Sequence, residues 1–211
     1  MENLEYFING DSENINEAMI FIHGYGANGP DLLSLSEYFM QDKSNCVFIA
    51  PNAPFETNIY PDSYFWFPLE NKEEDYLAEG VHMACQIFEE FLEEIKGKYA
   101  LTNADITLCG FSQGSLLAMH FALLNEQSFK AVLAYSGGAL SNIADFKQND
   151  TPICLIHGEA DEVLEATYSK NSYKLLHAAE HPVELHLIPG LGHSINHEAI
   201  ELGRKFLATH K

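Results

Sequence analysis

The chain has 211 residues, 46% apolar and 20% charged, with 14 Gly and 8 Pro; the composition is globular and the length suits one domain, 1–211, better than two. That excludes disorder, collagen and coiled coil. Lys and Arg number 11 against 31 Asp and Glu, a net charge of −20, so a nucleic-acid backbone or an anionic membrane would meet a repulsive field.

The opening stretch, Met1 to Ile8, is acidic and soon broken by Asn9-Gly10-Asp11. It reads neither as a secretory signal nor as a spanning run of roughly 20 apolar residues, so a soluble chain without stable membrane insertion is expected. Ala18–Ile22 is a short apolar run that predicts a strand, and Leu32, Leu35 and Phe39 then share one helical face. Cys46–Ala50 predicts the next strand. Pro51 to Asn71 is an unusually long connection carrying four prolines and the aromatics Phe55, Tyr60, Tyr64, Phe65, Trp66 and Phe67. Phe55, Trp66 and Phe67 are candidates for a substrate-binding wall, the alternative being a plug over the end of the core.

Leu77, Val81, Cys85, Phe88, Leu92 and Ile95 recur at helical spacing, and Gly97 supplies a stop. Strands follow at Ile106–Cys109, Ala131–Tyr135, Ile153–Ile156 and Val183–Ile188, with a helical pattern through Leu116, Leu117, Met119, His120 and Leu123 after the first of them. Runs apolar at nearly every position suit strands buried on both faces, hence an α/β architecture with a mainly parallel sheet of about seven strands covered by helices on both sides. Val183, Leu185 and Leu187 alternate with Glu184 and His186, which predicts an edge strand. So many elements with short connections leave no room for a lid domain. The four cysteines, Cys46, Cys85, Cys109 and Cys154, fall singly in apolar stretches without Cys-x-x-Cys spacing; buried, reduced thiols and a cytoplasmic location are expected.

Between the strand ending at Cys109 and the following helix stands Gly110-Phe111-Ser112-Gln113-Gly114. This Gly-x-Ser-x-Gly places a serine on a strand-to-helix turn so tight that side chains two residues to either side would collide. A serine hydroxyl is a poor nucleophile and needs a base, which in turn needs a group to orient it. Asp161, in His157-Gly-Glu-Ala-Asp161, and His193, in Pro189-Gly-Leu-Gly-His193, each follow a strand, so all three candidates lie at the carboxyl edge of the sheet. Glu159 and Glu162 compete with Asp161. His82, His120, His177 and His186 fall within helical or strand patterns, where surface or core roles are expected. An oxyanion needs backbone N–H donors; Gln113 offers one, and Tyr25, after Phe21-Ile-His23-Gly24, is the natural position for the other.

The same turn raises a rival, because Gly24-Tyr-Gly26-Ala-Asn-Gly29 matches the dinucleotide fingerprint Gly-x-Gly-x-x-Gly of nucleotide-binding oxidoreductases. That fingerprint also requires an acid at the end of the second strand, and here the strand ends in Ala50-Pro51-Asn52. A metal site is disfavoured, since His193 and His197 lack the His-Glu-x-x-His arrangement. A catalytically inactive binding module, the third class, would be expected to have lost one of the reacting residues, and none is missing.

Five segments, Phe21-Ile-His-Gly-Tyr-Gly26, Ala50-Pro-Asn-Ala-Pro54, Gly110-Phe-Ser-Gln-Gly114, His157-Gly-Glu-Ala-Asp161 and Gly190-Leu-Gly-His-Ser-Ile195, together resemble the phospholipase/carboxylesterase family that includes acyl-protein thioesterases. The resemblance runs from about Ile20 to Ile200. It implies an α/β-hydrolase fold, a Ser112, His193, Asp161 triad, an oxyanion hole from Tyr25 and Gln113, carboxylic ester or thioester substrates, small or acylated, and no cofactor. The chain departs from the family's pattern at Ser115, at Glu162 and through Thr57 to Phe65, which bears on acyl-chain preference rather than on the reaction.

Overall fold

The computed structural model describes residues 4–10, 14–43, 45–71, 73–140 and 146–210, so Met1 to Asn3 and Asp11 of the opening stretch lie outside it. Its main sheet has seven strands: β1 (Tyr6–Asn9), β2 (Glu17–Ile22), β3 (Cys46–Pro51), β6 (Ile106–Phe111), β7 (Ala131–Tyr135), β8 (Ile153–Gly158) and β9 (Val183–Ile188). They lie in the order β1-β3-β2-β6-β7-β8-β9, parallel throughout except that β1 runs antiparallel along β3. The alternating run at Val183 does sit at an edge. The other edge is β1, whose four residues ahead of a turn carry too little pattern to predict a strand.

Successive residues on the inner strands feed opposite faces. On β2, Ala18, Ile20 and Ile22 join one buried layer and Met19 and Phe21 the other; on β8, Ile153 and Leu155 are set against Cys154 and Ile156. The first layer packs under α3 (Glu74–Tyr99), α4 (Gln113–Leu124) and α5 (Thr167–Ala178), the second under α1 (Gly29–Leu33), α2 (Ser36–Phe39) and α6 (His197–Thr209). Each fully buried Leu, Ile or Phe contributes about 1.5–3 kcal/mol by leaving water, which explains why the central strands are almost wholly apolar. The chain runs from β2 outward to β3 and returns to β6 on the other side of β2. The carboxyl ends of β2 and β6 therefore flank the point where strand order reverses, the usual crevice of open α/β sheets.

Two details correct the sequence reading. The helical face Leu32, Leu35, Phe39 is divided between α1 and α2 rather than lying on one helix. The stop of α3 is not Gly97, which lies inside the helix, but Ala100, whose φ of 56° and ψ of 42° are left-handed. Helix packing extends α3 past the glycine, so a residue with a Cβ takes the conformation that glycine adopts more cheaply. Nothing lies within 4 Å of a Cβ built on Gly97. Gly97→Ala and Ala100→Gly are each expected to stabilise the protein by about 0.5–1 kcal/mol. Urea unfolding midpoints check this, and a drop for either variant contradicts the assignment of the helix end.

Candidate active site

The nucleophile candidate occupies a strained turn. Ser112, at the β6–α4 junction, has φ 52° and ψ −116°, and its N–H donates to the carbonyl of Tyr135 at 2.9 Å. The glycines on either side are dictated by contact: a Cβ at Gly110 would lie 2.3 Å from the carbonyl oxygen of Gly114, and one at Gly114 would lie 1.9 Å from that of Ile22. Backbone strain of this kind is characteristic of functional turns.

His193 comes from the β9–α6 loop and Asp161 from the β8–α5 loop. Backbone bonds join the two loops: Glu159 N–H donates to Ile188 at 2.9 Å and Ala160 N–H to Leu191 at 2.9 Å. The approach is so close that a Cβ on Gly158 would lie 2.1 Å from the Leu191 oxygen. The result is a chain of contacts, with His193 Nε2 3.0 Å from Ser112 Oγ and His193 Nδ1 2.7 Å from Asp161 Oδ2. The other carboxylate oxygen accepts from the N–H groups of Val163 at 3.0 Å and Leu164 at 2.9 Å. Burial by itself raises the Asp161 carboxyl, but the Leu164 N–H, His193 and the Val163 N–H together hold it below its ordinary value, so it stays ionised. Glu159 and Glu162, the competing acids, are exposed.

The oxyanion candidates meet at the same place. Gln113 is the first residue of α4, where a backbone N–H has no partner within the helix. Gly24 packs so tightly on the turn that a Cβ there would lie 3.2 Å from Ser112 Cβ, so the segment that carries Tyr25 abuts the serine turn. The long connection secures both segments. Tyr64 exchanges hydrogen bonds with Gly26 and Ala27, each 2.8 Å; Trp66 N–H donates to Gln113 Oε1 at 2.9 Å; and Gln113 Nε2 donates to the Phe67 carbonyl at 2.7 Å.

Trp66 and Phe67 are therefore not a substrate wall. Both are completely buried; Trp66 packs edge-on against Phe88 at 6.0 Å and donates from its indole to the His23 carbonyl at 3.0 Å. A side chain without exposed surface offers a substrate nothing, and the plug alternative holds for these two. Phe55, by contrast, is half-buried and continues through Phe65 at 5.3 Å to Tyr25 at 5.2 Å, an aromatic row leading toward Ser112.

Two further histidines lie beside these residues. His23 is fully buried, with Nδ1–H donating to the Gly24 carbonyl at 2.8 Å and Nε2 accepting from Ala53 N–H at 3.0 Å, which ties the Tyr25 turn to the end of β3. Burial pushes its ring down to about 4. The unfolded chain takes up the proton near 6.5 and the folded one resists until about 4, so stability falls as pH drops through this window, by about 3 kcal/mol in all. His23→Gln keeps one donor and one acceptor but does not titrate, so its urea stability is expected to decline less steeply between pH 6.5 and 4. Equal slopes in the two proteins argue against the assignment. The other is His157, whose Nε2 lies 3.1 Å from Asp161 Oδ2. The signal was present as His and Asp four apart in one short loop, but without coordinates that spacing is indistinguishable from a strand-ending turn.

The Gly24–Gly29 turn does not form a dinucleotide site of the expected kind: Gly24 abuts the serine turn and the helix after it, α1, has only five residues. Ser115, a departure from the family's pattern, has a buried hydroxyl without a hydrogen-bond partner, against which Gly137 packs. All four cysteines are free and buried, and burial raises their thiols, Cys46 and Cys85 to about 12. Among the described residues no helix is long and apolar enough to cross a membrane, and no three metal-ligating side chains converge.

Residues 4–211 match the phospholipase/carboxylesterase family. The chain belongs to that family. Its similarity to an acyl-protein thioesterase 1 of Candida albicans is 28% identity over 211 residues, covering 90% of each chain. To acyl-protein thioesterase 1 homolog 1 of Dictyostelium discoideum it is 26% over 200 residues, covering 90% of this chain and 88% of the relative. The crystal structure of esterase PE8 superposes with a TM-score of 0.93 at 28% identity, covering 99% of this chain and all of that one. Like other members of the phospholipase/carboxylesterase family, it is a carboxylic ester hydrolase on an α/β-hydrolase fold.

Proposed function

We infer that the protein hydrolyses carboxylic esters or thioesters of short to medium acyl chains through an acyl-enzyme on Ser112. The observation that carries this reading is the unbroken contact line Ser112 Oγ, His193, Asp161 on a strained turn. His193 Nε2 accepts the Ser112 proton as Oγ attacks the carbonyl carbon, and the carbonyl electron pair moves onto oxygen. The N–H groups of Tyr25 and Gln113 receive that oxyanion. Collapse breaks the bond to the leaving alcohol or thiol, which takes the proton from His193. A water molecule then attacks the acyl group, returning its proton through His193 and releasing the carboxylic acid and free Ser112. Asp161, ionised and fixed by two backbone donors, holds Nδ1–H and stabilises the transient imidazolium. Three side chains within hydrogen-bond reach favour this reading over an inactive binding module.

The candidate acyl path is the row Phe55, Phe65, Tyr25, and Ile59 and Tyr60 of the same connection are exposed. Among the described residues, the elements outside the main sheet and its helices are the two-residue strands β4 (Phe55–Glu56) and β5 (Tyr64–Phe65) and short 3-10 turns, too little to cover the site. An open site follows, with acylated proteins admissible as substrates alongside small esters.

A fluorophosphonate probe together with an ester series tests the reading. Mass spectrometry should place the probe on Ser112, and the rate against concentration of one ester should pass smoothly through its solubility limit. Labelling elsewhere defeats the nucleophile assignment, and a sharp rise at aggregation defeats the open site.

A further inference from the structure

Asp161 serves two histidines. His157 follows the strand core of β8, and neither its side chain nor that of Asp161 is exposed to solvent. Its Nε2 stands 2.8 Å from the Leu164 carbonyl oxygen and 3.1 Å from Asp161 Oδ2. Both neighbours are acceptors, so the nitrogen between them has to carry a hydrogen. On the far side of the ring, Nδ1 is 2.6 Å from Ser169 Oγ, which also contacts the Gly137 carbonyl after β7. The imidazole is thus held at both ends, by α5 on one side and by the acid loop on the other.

We propose that His157 is a positioning residue for the acyl-transfer reaction: its Nε2–H donates to the Leu164 carbonyl and so holds the turn whose N–H groups fix Asp161, while the same N–H edge, 3.1 Å from Oδ2, offsets part of the negative charge on the oxygen that His193 uses. The proposal rests on the reading of Ser112, His193 and Asp161 given above. With the Val163 and Leu164 N–H groups on Oδ1 and the His193 ring on Oδ2, the carboxylate has three donors and a single orientation, and the edge of the His157 ring lies 3.1 Å from Oδ2. A positive N–H edge beside Oδ2 makes the carboxylate a weaker partner for the His193 imidazolium. His157 therefore sets how readily His193 holds a proton, as well as where its ring points. Few other charges compete. Glu159, Glu162 and Glu165 on the same loop are exposed, α5 presents the Ser169 hydroxyl, the β7 side presents the Gly137 carbonyl, and on neighbouring β9 His186 contacts Glu184 at 3.2 Å.

The test compares His157→Leu and His157→Gln with the parent enzyme. Without the donor, Asp161 concentrates its charge on His193, the base protonates more readily, and the acid limb of kcat/KM is expected to move to higher pH by about half a unit to one unit. Plateau kcat should fall roughly tenfold through lost orientation while KM stays near the parent value. His157→Gln, whose amide can donate in place of Nε2–H, should restore most of both. A residue that merely filled space would change stability and leave the pH limb in place. Should the Leu variant not fold, histidine ring nitrogen-15 spectra of the parent protein answer the same question: Nε2 of His157 should carry a hydrogen whose signal shifts in Asp161→Asn. An unmoved limb in folded His157→Leu, or an unprotonated Nε2, overturns the proposal. Fluorophosphonate labelling of Ser112 in these variants separates that outcome from failure of the underlying mechanism, since labelling persists if only the His157 role is wrong.

Discussion

Ser112→Ala is expected to lower turnover of an activated ester by about 10⁴- to 10⁶-fold while leaving the fold intact. The size follows from what is removed. The variant lacks the oxygen that forms the covalent intermediate, so His193 and Asp161 have nothing to activate, and only the oxyanion donors and binding remain. A factor of 10⁴ corresponds to about 5.5 kcal/mol of barrier. Stability should move little or improve, because a left-handed φ of 52° is held at this residue by its surroundings and the hydroxyl makes one contact, to His193. The measurement is kcat/KM on a purified variant with its unfolding curve alongside. Residual activity above a few per cent in a protein of verified purity removes Ser112 from the mechanism.

Gly114→Ala, two residues on, is expected to damage the fold rather than the chemistry. The added Cβ would stand 1.9 Å from the Ile22 oxygen, 2.5 Å from the Ile22 carbonyl carbon and 2.6 Å from the His23 oxygen. All three are backbone atoms at the end of β2, which is hydrogen-bonded on both sides within the sheet and cannot swing away like a side chain. Relief would require α4 to lift from β2, loosening a helix with ten buried residues. The cost should exceed about 4 kcal/mol, a large part of the 5–15 kcal/mol that keeps a typical domain folded. Urea unfolding and soluble yield report it, with Gly97→Ala as the comparison in which the same methyl group meets open space. A midpoint within about 1 kcal/mol of the parent would mean that α4 and β2 can separate at little cost where a Gly114 Cβ would approach the Ile22 oxygen to 1.9 Å.

The sequence by itself determined the sheet, the order of its central strands along the chain and three of the side chains that meet. Apolar runs without alternation at Ala18, Cys46, Ala131 and Ile153 can satisfy both faces of a strand only inside a covered parallel sheet, and that pattern is local. Gly110-Phe-Ser-Gln-Gly114 is legible in the same way at Gly110, whose clash lies within the motif and its next residue, whereas Gly114 answers a clash with β2 that exists only in the fold. Asp161 and His193 were legible through position, each just past a strand and so at the same sheet edge. What only the tertiary structure decided depends on contacts between distant segments. Trp66 and Phe67 read as freely as Phe55 for a substrate wall until Phe88 and Gln113, from elsewhere in the chain, are seen to enclose them. The end of α3 at Ala100 rather than Gly97 reflects packing that outweighs the propensity of one residue. His157 stood in plain view in the run that supplies Asp161. It stands beside that carboxylate because Ser169 on α5 and the Leu164 carbonyl hold the ring edge near Oδ2, an orientation that no spacing along the chain encodes.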